Sequence, residues 1–149
     1  MRPMTQPDPR DTATLIAHVN ERFHEGHRRD LPPLQALARR AAPVLADHLD
    51  AMAQALETHM FKEEMRLFPM MEQGGNTLIG LLMQDLDAEH RAHEVSLAVL
   101  QDLMAAQPLP AELQQGLLHF ISELQQHVQI EDEVLFPRFP FSETGRPAS

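Results

Sequence analysis

A chain of 149 residues, 43% apolar and 5% aromatic, has the size and content of one compact domain, and Ala, Leu, Met, Gln and Glu outweigh the residues that strands prefer. Twelve Lys and Arg against 22 Asp and Glu leave a formal net charge of -10, which argues against nucleic acid or an anionic membrane surface as a partner. The absence of Cys excludes a disulfide framework, a thiolate metal site and a cysteine nucleophile. No apolar run approaches the ~18 residues of a membrane span, so a cytoplasmic chain is expected. Nine His stand out, and any metal site here must be built from imidazole and carboxylate.

Residues 1–11, with Pro3, Pro7 and Pro9, read as a flexible leader, residues 12–139 as the domain and residues 140–149 as a flexible tail. The first helix is expected to start near Asp11 or Thr12, either of which can cap it, and to run through Ile16, Val19 and Phe23 toward Leu31. Pro32 and Pro33 should kink or restart it. The second starts near Pro43 and carries Leu45, Leu49, Met52, Leu56, His59, Glu63 and Leu67 at spacings of 4, 3, 4, 3, 4 and 4; Phe68-Pro69 is expected to end it.

After a loop over residues 72–76, the third helix carries Ile79, Met83, Leu86, His90, His93, Leu97, Leu100 and Met104, alternating steps of 4 and 3. The fourth starts near Pro110 and reads Leu113, Leu117, Phe120, Leu124, His127, Glu131 and Leu135, with the spacing of the second. Four amphipathic helices with short connections predict an all-α, antiparallel up-down-up-down four-helix bundle with these stripes facing its axis.

Two segments repeat. His59-Met-Phe-Lys-Glu63-Glu-Met-Arg-Leu67-Phe68-Pro69 and His127-Val-Gln-Ile-Glu131-Asp-Glu-Val-Leu135-Phe136-Pro137 each place His and Glu at i and i+4, on one helix face, before the same Leu-Phe-Pro. Both pairs fall on apolar stripes, where an imidazole and a carboxylate cost several kcal/mol unless paired or bound to metal. The third helix adds His90 and the first adds His24 or His27, so the plan of one His followed by His-x3-Glu occurs twice. Pseudo-two-fold packing then gathers four His and two Glu into a dinuclear site, with Glu63 and Glu131 as bridges and the imidazoles as terminal ligands. Such an N/O set suits non-haem iron ahead of manganese or zinc.

His24-Glu-Gly-His27-Arg28-Arg-Asp-Leu31-Pro32, Glu89-His90 and the two repeats together resemble the hemerythrin-like (HHE cation-binding) domains, and more narrowly the di-iron domain of the iron–sulfur-cluster repair proteins. The resemblance covers roughly residues 12–139. It implies the ligand set His24, His59, Glu63, His90, His127 and Glu131, choosing His24 in the first helix because Arg28 follows four residues later. It further implies two iron ions, oxo- and carboxylate-bridged, that meet nitric oxide or dioxygen, with any electron donor or protein partner left open. The repair proteins also carry a small domain with a cysteine pair, so a role that needs those thiols is not expected of these residues. Oxygen-carrying hemerythrins place a second His where Glu94 stands, which argues against reversible oxygen carriage and leaves His93 or Glu94 as a candidate seventh ligand.

The other positions read more plainly. His27 is expected to pack or support a ligand, and His18, His48 and His119 to lie at the surface or boundary. Glu64 and Asp132 are expected to be solvated, paired with Arg or bonded to a ligand His. Met52, Met83 and Met104 read as core filler, and Phe61, Phe68 and Phe136 as walls of a small gas pocket or as helix-end packing. The functional expectation is a di-iron protein that binds or processes nitric oxide or dioxygen in stress response and iron-centre repair. The alternatives are a non-catalytic iron sensor or carrier whose folding is linked to metal occupancy, and a metal-free helical interaction module.

Overall fold

The computed structural model describes residues 9–139, and the expected tail and residues 1–8 of the expected leader lie outside them. The described residues form an all-helical antiparallel bundle of four rods. α1 covers 9–41, as Pro9–His18, a π-helical turn Val19–His24 and Glu25–Ala41. α2 covers 43–72, as Pro43–Lys62, a π-turn Glu63–Leu67 and Phe68–Glu72. α3 is Ile79–Ala105, and α4 covers 111–138, as Ala111–Ile130, a π-turn Glu131–Leu135 and the 3₁₀ turn Phe136–Arg138.

Three boundaries differ from expectation. α1 starts at Pro9 rather than at Asp11 or Thr12, and Thr12 is buried near the end of α4, where its hydroxyl meets Arg138 Nη1 at 3.5 Å. Pro32 and Pro33, expected to kink or restart α1, do not restart it: the helix runs unbroken from Glu25 to Ala41. Phe68-Pro69 does not end α2 either: Pro69 lies just past the π-turn, in a helical stretch that continues to Glu72.

The π-turns have a cause in the spacing. Val19, Phe23, His27 and Leu31; His59, Glu63, Leu67 and Met71; and His127, Glu131, Leu135 and Phe139 are all buried at successive steps of four. On a regular α-helix three such steps swing the stripe by about 120° off the axis. A wider turn absorbs that drift: Glu25 N–H bonds Asn20 O, Phe68 N–H bonds Glu63 O, and Phe136 N–H bonds Glu131 O, each five residues back. α3, whose stripe alternates four and three, contains no π-turn.

Two apolar clusters divide the bundle. One holds Leu31, Leu45, Leu49, Leu56, Leu100, Leu117, Phe120 and Leu124 among others, and the second holds Ile16, Val19, Leu67, Phe68, Ile79, Leu86, Leu135 and Phe136. On every rod the buried His and Glu lie between the stretches that feed these clusters. Gly116 lets α1 and α4 approach closely, since a Cβ there would meet Leu34 Cδ2 at 2.3 Å. Among the described residues no helix is long and apolar enough to cross a membrane.

Candidate metal centre

His24, His59, Glu63, His90, His127 and Glu131 converge in one layer of the bundle, none more than 1% exposed. Their donor atoms fall into two groups of four: His24, Glu63, His127 and Glu131, and His59, Glu63, His90 and Glu131. Both carboxylates belong to both groups. His24 Nε2 lies 3.0 Å from Glu63 Oε1, His90 Nε2 2.8 Å from Glu131 Oε1 and His127 Nε2 3.2 Å from Glu131 Oε2. The sequence plan of single His plus His-x3-Glu, twice over, is brought together at one level, with each group taking one His from each half of the chain.

Each inward-facing ring is held from outside. His24 Nδ1 meets Glu64 Oε2 at 2.6 Å, His59 Nδ1 meets Glu89 Oε1 at 2.9 Å and His90 Nδ1 meets Asp132 Oδ1 at 2.8 Å. Behind these carboxylates stand Arg28 on Glu64, Lys62 on Glu89 and Arg91 on Asp132. His127 Nδ1 instead meets His27 Nε2 at 3.2 Å. A carboxylate accepting the Nδ1 proton fixes the ring orientation and turns the Nε2 lone pair inward, which is what a metal-binding imidazole needs. Phe68 stacks on His24 and Phe136 on His90, at centroid distances of 5.7 and 5.3 Å, so the Phe of each Leu-Phe-Pro braces the lone His of its own half.

The electrostatics follow from burial and charge. Burial would push His59, His90 and His127 down, but the carboxylates facing them hold His59 up to about 11 and His90 and His127 up to about 9. Burial would raise Glu63 and Glu131, yet the surrounding imidazoles keep both below the usual carboxylate range. Burial and the neighbouring His127 push His27 down to about 2, so it stays neutral and can accept the His127 Nδ1 proton.

Two observations fit this donor set to cations rather than to protons alone. Glu63 Oε2 is buried and makes no hydrogen bond, although His59 Nε2 comes within 3.4 Å. The Nε2 atoms of His59 and His90 also face each other at 3.2 Å, where two inward donors would oppose each other. A cation shared with Glu63 and Glu131 would satisfy both defects.

Other residues fall differently. Glu94 is exposed and paired with Arg91 at 3.1 Å, so it is turned away from the centre. His93 stands edge-on to His59 at 5.0 Å but belongs to neither donor group. Phe61 is 58% exposed and walls nothing, because the buried face of α2 at this level is taken by His59, Met60 and Glu63. His48 is half-buried and its Nε2 donates to Ser96 O at 2.8 Å, while His18 and His119 are exposed. Contributors that carried no assigned role in the sequence reading include Glu89, Lys62, Arg91, and Phe23, which stacks flat on His127 at 5.2 Å. Glu89 could have been noticed as the acidic neighbour of His90, but which ring it reaches depends on α2.

The comparisons with known proteins agree with this geometry. The Hemerythrin HHE cation binding domain family matches residues 15–139. The chain is 32% identical over 141 residues to the iron-sulfur cluster repair protein YtfE of Yersinia pseudotuberculosis serotype IB and 33% identical over 141 residues to that of Edwardsiella ictaluri. It is 29% identical over 143 residues to a probable iron-sulfur cluster repair protein of Haemophilus influenzae. These matches take in 83–85% of this chain, which spans 64% of the length of each relative. With a family match over nearly the whole described bundle and a buried His/Glu layer able to hold metal, the chain belongs to the hemerythrin HHE cation-binding family.

Proposed function

We propose that this protein is a non-haem di-iron protein that binds and processes a diatomic gas, nitric oxide or dioxygen, in the stress-linked repair of damaged iron centres. The observation that carries this reading is the pair of four-donor groups sharing both Glu63 and Glu131. In it His24 and His127 would hold one iron and His59 and His90 the other, with Glu63 and Glu131 available to both. The names of the similar repair proteins support the repair context, with iron–sulfur proteins as the targets.

Bound iron would supply an open coordination position and electrons for a small π-acceptor ligand. The protein's own part is positional. Glu64, Glu89, Asp132 and His27 fix the four rings, and the two apolar clusters keep bulk water from the layer between them. Glu63 and Glu131 neutralise cationic charge in a site where no Lys or Arg is buried.

The test is metal analysis and an optical spectrum after anaerobic purification, followed by separate exposure to nitric oxide and to oxygen. Two irons per chain, a nitrosyl adduct and rapid oxidation by oxygen are the expected results. A protein purified without metal that takes up none would overturn the reading. Iron that is held but meets neither gas would favour the sensor or carrier alternative.

A further inference from the structure

The outer surface of α2 and α3 carries a second set of stripes that the metal layer does not use. Nine large apolar side chains among the described residues are exposed, and seven of them lie on these two rods: Val44, Phe61 and Met65 on α2, and Leu78, Leu81, Val95 and Val99 on α3 or its cap. Each is 41–68% exposed. They fall in heptad files. Val44, Ala51, Thr58 and Met65 follow one another at sevens on α2, as do Asp47, Gln54 and Phe61. On α3 the files are Leu81, Ala88 and Val95, and Leu78, Asp85, Ala92 and Val99. A stripe of that period is what a helix presents to a neighbouring helix, and among the described residues nothing covers it.

The two stripes adjoin at one level. Lys62 pairs with Glu89 and Asp85, and His48 Nε2 donates to Ser96 O, so Ala55 lies level with Ala92. The groove between them, about 470 Å³, opens outward and is lined by the small side chains of Ala51, Ala55, Ala92 and Ser96, which let another helix pair approach closely. It also holds an unmet demand. His93 lines it, 7% exposed, with an Nε2 that has no hydrogen-bond partner.

We propose that this face is the interface of a homodimer, formed with a second copy of the chain across a two-fold axis that passes the level of Ala55 and Ala92 and sets each rod antiparallel to its own copy. The pattern is complementary to itself about that level. Val44 and Met65 stand eleven and ten residues on either side of Ala55, and Asp47 and Lys62 stand eight and seven. Each Val44 therefore meets a Met65 of the second copy, and each Asp47 meets a Lys62. A two-fold along the rods would instead bring Asp47 near the level of Asp102 of the second copy, acid against acid. Gln54, exposed on the rim of the groove and one residue from the axis, reaches from the second copy to His93 Nε2 and supplies its hydrogen bond. The face from Val44 to Met65 is about 32 Å long and about 20 Å wide, which with side-chain relief approaches the ~800 Å² per partner of a stable dimer. A net charge of -10 opposes association over most of the surface, and the Asp47–Lys62 pairs relieve that repulsion here. The interface draws on outer residues alone and stands apart from the di-iron reading.

The test has two arms on the full chain. Sedimentation equilibrium should find a dimer at about 100 µM chain, and Ala92→Glu, which sets a charge against its own copy at the axis, should weaken association at least about 100-fold with helix content unchanged. Leu118→Glu, at an exposed position on α4, should leave association as it is. The second arm uses the absence of Cys and needs only small substitutions. With a short bismaleimide, Ala55→Cys alone should cross-link to a dimer. Val44→Cys alone and Met65→Cys alone should not, and an equimolar mixture of these two should.

Wild type that stays monomeric up to about 1 mM overturns the proposal and leaves the face to a different partner. A dimer that Ala92→Glu leaves intact, or that Leu118→Glu dissolves, overturns the choice of face. Cross-linking of Val44→Cys with itself, or none in the mixture, overturns the antiparallel register.

Discussion

The two halves of this chain carry one plan with two endings. In each, a lone His is braced by the Phe of its own Leu-Phe-Pro and held by the acidic residue that follows the Glu of its own His-x3-Glu: His24 by Phe68 and Glu64, His90 by Phe136 and Asp132. The second His of each half breaks the symmetry. His59 is held by a carboxylate, Glu89, which Lys62 in turn pairs, whereas His127 is held by a neutral imidazole, His27, and covered by Phe23. The residues preceding the lone histidines, Phe23 and Glu89, make the difference. One donor group is therefore backed by two carboxylates and the other by one carboxylate and a neutral imidazole beside an apolar face, so irons bound to the two groups as proposed should differ in affinity and in the ligand they favour.

The largest expected effect removes what both halves share. Glu63→Ala or Glu131→Ala should drop the iron content below two per chain, measured by metal analysis, and full occupancy in both variants would eliminate these carboxylates as bridges. Chelation should then lower the melting temperature markedly, because buried carboxylates lose the cations that offset their charge.

The metal-free protein should also respond to pH with a definite sign. Folded His59, His90 and His127 sit above an unfolded value of ~6.5, so the stability they contribute is whole below that pH and is lost as pH rises through about 9 to about 11. Depressed Glu63 and Glu131 contribute above ~4.5 and lose that contribution in acid. The melting temperature of stripped protein should therefore fall from about pH 7 to about pH 10, while that of loaded protein, whose inner protons metal has replaced, should not. Equal slopes in differential scanning fluorimetry would contradict the proton-for-metal exchange.

Smaller effects separate the halves. Glu89→Gln should weaken one iron by about 10- to 100-fold, and His27→Leu should weaken the other within the same range. Titration with ferrous iron distinguishes two unequal steps from one, and a uniform loss at both positions would show that the asymmetry has no energetic consequence. The smallest change is expected from Arg28→Ala and Arg91→Ala, half-exposed partners of Glu64 and Asp132, each worth at most about 1 kcal/mol of stability by chemical denaturation.

Much of the bundle was legible along the chain because helix periodicity is local. The apolar stripes placed His59, Glu63, His90, His127 and Glu131 on buried faces, and the repeated Leu-Phe-Pro marked equivalent ends. The successive steps of four were legible too but were given no meaning, and Phe68-Pro69 was read as the end of the helix, whereas a π-turn carries α2 on to Glu72. Glu94 was readable only as one turn from His90; its pairing with Arg91 on the outer face is a matter of azimuth.

The sequence by itself determined a helical bundle with two His-x3-Glu pairs pointing inward, since spacing, punctuation and the cost of burying charge are properties of a single strand of chain. Only the tertiary structure decided which ring each outer group holds. Glu89 reaches His59 from another helix, His27 reaches His127 across 100 residues of chain, and His93 is left with an empty hand beside a cavity. The physical reason is that height and rotation between helices come from how ridges and grooves pack, and no periodicity within one helix records them.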